Sequence, residues 1–125
     1  MRCACEEHAE IVDAYLQGDA QRTLALLSAH YQVTVDMIVK ASAIALRKHP
    51  WVNASWLGTK IRFNHHIHIG VAMAVEDGLL VPVVRFADQK SLSTISSEVK
   101  VFNSKAKDKK LQPADWEGST FTISN

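Results

Sequence analysis

The spacing of apolar residues changes period once along this chain. Up to Lys48 they recur every three or four positions, and from His66 they alternate. Ile67, Ile69, Val71, Met73 and Val75 share one face of a predicted strand, with His66, His68, Gly70, Ala72 and Ala74 on the other. Asp77-Gly78 is a hairpin turn signal, and Leu79 to Phe86 reads as the returning strand. Pro82 puts that strand at an edge or a bulge. The small residues on the even face predict close approach of another element there. A strand block between helical segments makes the chain α+β.

Upstream, residues from about Cys5 to Gln17 are predicted helical, with Ala9, Val12, Ala14, Tyr15 and Leu16 apolar and Glu6, Glu7, Glu10 and Asp13 toward solvent. Gly18 ends this helix in a left-handed conformation. Asp19 caps a second helix through about His30, with Ala20, Leu24 and Leu27 on its apolar stripe. A third helix is expected after Thr34, which can cap it, with Asp36 in its first turn. It runs through Met37, Ile38, Ala41, Ile44 and Ala45 to a stop at Pro50. Arg47, Lys48 and His49 suit its C-terminus. Downstream, Ser91 caps a helix with Leu92, Ile95, Val99 and Phe102 at helical spacing. Pro113 opens a turn, and Thr120 to Ser124 is the last strand.

Bulk properties set wide limits. With 125 residues, 47% hydrophobic and 22% charged, the chain suits one ordinary globular domain. A formal charge of +1 gives no bulk attraction to nucleic acid or to an anionic membrane. No apolar run approaches a membrane span, and the N-terminus lacks the apolar core of a signal peptide, so a cytoplasmic location is expected. Cys3 and Cys5 are badly spaced for a disulfide and have no further cysteine with which to build a metal site, so they read as free thiols. The lysines between Lys105 and Lys110 read as a solvated helix end. His66 and His68 alternate onto one face; with no third ligand evident, that face reads as solvated or partner-facing.

Several landmarks between about Val33 and Asn125 fall in a familiar order. They are Arg47-Lys-His-Pro50, Asn53-Ala-Ser-Trp56, Ile69 to Val75, Asp77-Gly-Leu-Leu-Val-Pro82, Ser91-Leu-Ser-Thr-Ile95 and Gly118-Ser-Thr-Phe-Thr-Ile-Ser-Asn125. Together they resemble the catalytic domain of the acyltransferase component of 2-oxo acid dehydrogenase complexes. The resemblance implies part of a two-layer chloramphenicol-acetyltransferase-like sandwich. It implies acyl transfer between a lipoyl thioester, carried on a separate domain, and coenzyme A as cosubstrate. It also implies a homo-oligomer, a trimer in the family, together with the lipoyl domain and other complex components as partners.

By residue-to-residue match Ser124 takes the family's oxyanion role, for which a rotatable hydroxyl is suited. The family's catalytic histidine belongs to an Asp-His-Arg-x-x-Asp-Gly motif that does not occur in these 125 residues. The isolated chain is therefore expected to be inactive, with sheet edges and an apolar face exposed. No cofactor-binding residue is identified.

Residues 1–31 do not look like that family. Glu6 to Ala14, Gly18-Asp-Ala20 and Leu27-Ser-Ala-His30 resemble the last helical hairpin of FCD-type effector domains of GntR-family regulators. There one histidine from each helix ligates a metal ion, and His8 and His30 match those positions, with the remaining ligands missing. The chain is accordingly read as a 1–31 hairpin of different origin followed by a 32–125 partial acyltransferase domain. A chimeric or engineered non-catalytic scaffold and a metal-binding hairpin module are the alternatives.

Overall fold

The computed structural model describes residues 3–75 and 78–124. The chain divides into two compact units, Met1–Val35 and Asp36–Asn125.

In the first unit, α1 spans Ala4–Leu16, and α2, which spans Ala20–Lys48, begins after a short turn. Gly18 in that turn has φ +72°, the left-handed geometry expected of it. Asp19 caps α2 as predicted, its carboxylate accepting from the Arg22 N–H at 2.9 Å. The apolar stripe of α1 does not become a core. Ala14 is buried, but Tyr15 is 72% and Leu16 is 76% exposed, and Leu24 on α2 is exposed as well.

The expected break between a second and a third helix does not occur, because α2 runs through it. Thr34 is no N-cap; its hydroxyl donates to the His30 carbonyl one turn back at 3.1 Å. Asp36 is a buried mid-helix residue, not a first-turn acid. A threonine can bond within the helix as readily as cap a new one, so its presence alone did not fix a boundary. The C-terminal end at Lys48 agrees with the sequence, since Arg47 and Lys48 form the last turn.

In the second unit, β1 (Ala54–Trp56) pairs antiparallel with β2 (Ile61–Phe63). The expected long strand is two short ones, β3 (Ile69–Val71) and β4 (Met73–Val75), which serve different sheets. The returning strand is likewise divided into β5 (Gly78–Leu80) and β6 (Val83–Val84). Pro82 lies between them, where pairing passes from β4 to β3. β4 and β5 pair antiparallel with Val75 opposite Gly78, while Asp77 of the expected turn lies outside the described residues.

Ile67, Ile69, Val71 and Met73, expected to share one face, are all buried, so that face packs into the core. Helix α3 (Leu92–Lys107) lies against β4 and β6, burying Ile95 and Val99. The Ser91 hydroxyl caps it, accepting from the Thr94 N–H. One turn of helix, α4 (Pro113–Trp116), leads to β7 (Phe121–Ile123). The central sheet has the order β6-β3-β7, with β6 antiparallel and β7 parallel to β3. Trp51 and Trp56 stay 72% and 70% exposed beside the β1–β2 pair.

Candidate functional site

Ser124 directly follows β7 and is exposed. Its strand is an edge, held to β3 by the pairs Ile69–Phe121, Gly70–Thr122 and Val71–Ile123. The carbonyl of Ile123, next to Ser124, accepts from the Ala72 N–H at 2.9 Å. At the other end, the N–H groups of Thr120 and Phe121 donate to the His68 carbonyl at 2.8 and 3.2 Å. The main chain leading to Ser124 is thus tied at both ends to the strand whose alternation is plainest in the sequence. The close approach expected on the even face occurs at Gly70, while Ala72 is half-buried and Ala74 exposed. A Cβ on Gly70 would lie 2.8 Å from Val81 Cγ1 and 3.2 Å from Thr122 Oγ1.

His68 does not lie on the solvated or partner-facing surface expected of it. It precedes β3 and is only 6% exposed, because β6 and β7 flank this end of β3 on both sides. Its Nδ1 accepts the Phe86 N–H at 3.0 Å, so a neutral His68 carries its proton on Nε2. Phe86 has φ +50°, unusual for an aromatic residue, and its ring meets His68 edge-on. Burial pushes the His68 imidazole below its ordinary pKa, and the charges of His66, Arg85 and Lys90 act in the same direction, against a raising hydrogen bond with the Ile67 backbone. His66 remains exposed, 4.3 Å from His68 between ring centroids.

Two polar clusters that the sequence reading missed brace the same unit. Asn53 is 1% exposed and donates from Nδ2 to the carbonyls of Asn64 and His66 at 2.9 and 3.0 Å. Asn64 returns a bond from its own Nδ2 to the Asn53 carbonyl at 3.0 Å. Arg47, from the last turn of α2, pairs with the carboxylate of Asp88, and Lys40 donates to the carbonyls of Asp88 and Lys90 at 2.9 and 2.7 Å. Asn53 and Lys40 each stand between apolar residues in the sequence, whereas Arg47, Asn64 and Asp88 lie in polar runs that gave no such signal. Lys105, within the lysine run, pairs with Asp115 at 3.2 Å, while Lys107, Lys109 and Lys110 are exposed. The backbone of Gln112, and then Lys105, hold the Asp115 carboxyl below its usual range.

In the first unit His8 and His30 do come together, Nε2 to Nε2 at 3.2 Å. Glu7 accepts from Nδ1 of His30 at 2.9 Å. That contact leaves a neutral His30 with its Nε2 lone pair facing the Nε2–H of His8. Among the described residues, no group of three or more His, Cys, Asp and Glu side chains is placed to hold a metal ion. Cys3 and Cys5 are exposed free thiols, as expected, and hydrogen bonds from the Cys5 backbone and side chain lower the pKa of Cys3. Among the described residues, no helix is long and apolar enough to cross a membrane.

Comparison with known proteins places this geometry in context. Residues 16–125 match the family described as 2-oxoacid dehydrogenases acyltransferase (catalytic domain), a match that begins upstream of the landmarks at Val33. Component 3 of the dihydrolipoyllysine-residue acetyltransferase of the mitochondrial pyruvate dehydrogenase complex from Arabidopsis thaliana is 52% identical over 90 residues, covering 72% of this chain and 17% of the relative. The Rhizobium meliloti counterpart is 43% identical over 96 residues, covering 76% of this chain and 22% of its own. The chain thus spans roughly a fifth of the length of these curated relatives.

Among solved structures, the dihydrolipoamide acetyltransferase of Azotobacter vinelandii superposes with a TM-score of 0.71 at 34% identity, covering 91% of this chain and 48% of that one. A subunit of the cubic core of the pyruvate dehydrogenase multienzyme complex gives 0.70 at 39% identity, covering 72% and 38%. With the extent of these matches, the chain belongs to the family of 2-oxoacid dehydrogenase acyltransferase catalytic domains.

Proposed function

We propose that this chain supplies the oxyanion side of acyl transfer between a lipoyl thioester and coenzyme A, through Ser124. In this reaction the thiol of coenzyme A gives its proton to a base, and the thiolate adds to the thioester carbonyl carbon. The carbonyl oxygen becomes an oxyanion, to which the Ser124 hydroxyl donates. The C–S bond to the dihydrolipoyl sulfur then breaks, and that sulfur takes up the proton. The observation that carries this reading is the tethering of β7 to β3 at both ends, which holds the backbone beside an exposed serine.

The base in this reading comes from outside the described residues. It is the histidine of the family's Asp-His-Arg-x-x-Asp-Gly motif, which does not occur in these 125 residues. The isolated chain accordingly binds coenzyme A and turns over little. Residues 32–125 act as part of a two-layer sandwich that assembles with further copies, as trimers, and meets a lipoyl domain. The exposed Trp51 and Trp56 support burial of the surface by such assembly.

The test is calorimetry with coenzyme A, followed by turnover of acyl-dihydrolipoamide with and without added imidazole as a substitute base. Binding, turnover that depends on imidazole, and a drop of about 10²- to 10³-fold in that rate for Ser124→Ala are expected. Fast turnover without imidazole, or no binding, would overturn the proposal.

The 3.2 Å separation of His8 and His30 supports a second reading for residues 1–31. Two nitrogens on a tetrahedral zinc ion stand about 3.3–3.4 Å apart, given Zn–N bonds of about 2.0–2.1 Å. We read the pair as two ligands of an effector-type metal site, with Glu7 orienting His30 and the other positions left to water. Zinc or nickel is expected to raise the Tm, and His8→Ala to abolish the rise. An equal rise in the variant would remove this reading, leaving a non-catalytic helical appendage.

A further inference from the structure

Strand β7 is three residues long and at a sheet edge, with Phe121 and Ile123 only half-buried and Thr122 exposed, so three pairs and a partly buried face are all that the strand itself offers to hold its register. A slip of one residue would turn every side chain on it to the opposite face and carry Ser124 along the strand direction by about 3.3 Å. Something besides the ladder must therefore choose the register.

The side chain that does so is on Thr120. Its Oγ1 accepts from the His68 N–H at 3.1 Å and donates to the His68 carbonyl at 3.3 Å. One hydroxyl thus engages both main-chain groups of a single residue on the neighbouring segment. It can do this in only one register, because the next residue along presents its own N–H and C=O in other directions. Packing gives the same answer independently. Gly70 stands opposite Thr122, with the space for a Cβ already taken by Val81 Cγ1 and Thr122 Oγ1. Shifting β7 by one residue would bring Phe121 or Ile123 against that close contact in place of threonine.

We propose that Thr120 is the positioning residue for Ser124, its hydroxyl selecting the β7 register and so the point at which the serine hydroxyl is offered. The functional half of this inference rests on the oxyanion reading above, and the register half does not. Thr120 touches no reacting atom in this account. It acts through the backbone of β7, four residues before the serine.

The experiment compares amide hydrogen exchange in the whole chain for Thr120→Val, which keeps the shape and removes the hydroxyl, and Thr120→Ser, which restores the hydroxyl. The reporter is the Ala72 N–H, bonded to the Ile123 carbonyl; the Val71 N–H, bonded to the Pro82 carbonyl on the other side of β3, is the control. Thr120→Val is expected to speed Ala72 exchange about tenfold or more while leaving Val71 and helix α3 unchanged, and Thr120→Ser to return Ala72 to its original rate. Unchanged Ala72 protection, a uniform loss of protection across α3, or failure of Thr120→Ser to rescue would each overturn the proposal. If Thr120→Val does not fold, Thr120→Ala is measured against the same criteria, and failure of both to fold counts against a local register role. Ser124→Ala separates the two halves. It should leave Ala72 exchange untouched, so loss of the oxyanion reading in the imidazole assay would not by itself disturb the register result.

Discussion

The backbone N–H of Phe86 donates to Nδ1 of His68 at 3.0 Å, joining the exit of β6 to the entry of β3 through a buried imidazole. This bond needs an unprotonated Nδ1. Protonating it would set two N–H groups against each other in a place with little access to water. Burial, with the nearby positive charges of Arg85 and Lys90, lowers the folded pKa of His68 below its unfolded value. Between the two values the unfolded chain binds more protons, so stability rises with pH in that window. The contribution is fully present above about pH 6.5, the ordinary histidine value, and is lost as pH falls through the folded pKa. A Tm measured from pH 8 to pH 5 is expected to fall on acidification, with a smaller acid dependence in His68→Asn, whose side-chain oxygen can accept the same N–H without titrating. An identical pH profile in the variant would show that His68 is not the group responsible.

Asn53 holds two main-chain carbonyls, those of Asn64 and His66, through one side-chain amide. Removing that amide strands both acceptors in a site that is almost fully buried. Asn53→Ala is expected to destabilise by about 1–3 kcal/mol, seen as a lower urea midpoint with an unchanged slope. A change below about 0.5 kcal/mol would mean that water replaces the amide at little cost.

Gly70 leaves no room for a methyl group. Gly70→Ala is expected to cost about 1–3 kcal/mol, because valine is β-branched and stiff and its Cγ1 stands 2.8 Å from the new atom. Combining it with Val81→Ala should recover part of the loss, a coupling that a double-mutant cycle in urea would measure. Strict additivity would place the strain elsewhere.

Ser91 satisfies the Thr94 N–H at the start of α3, at 3.1 Å. Ser91→Ala is expected to lower stability by about 1 kcal/mol, with Ser91→Asp largely retaining it, since either oxygen accepts the same donor. Thermal melts of the three proteins decide the matter; equal losses in both variants would show that the cap bond carries no weight.

Local rules accounted for the elements whose signals lie within a few residues. The caps at Asp19 and Ser91, the left-handed Gly18, the buried odd face from Ile67 to Met73 and the last strand before Ser124 each depend on neighbours close in the chain. The family too was readable, because its landmarks are short motifs in a set order. What those rules misjudged was decided at a distance. Thr34 has the chemistry of a cap, yet the helix continues past it. The strand from His66 to Val75 is divided because β3 has β6 and β7 as neighbours while β4 has β5. His68 went inside because β6 and β7 close around it, and Asn53 because two distant carbonyls needed a donor. Periodicity reports which face of a segment is apolar; which strands meet, and so which polar atoms lose water and must find partners, depends on residues many positions away and is settled only when the sheet assembles.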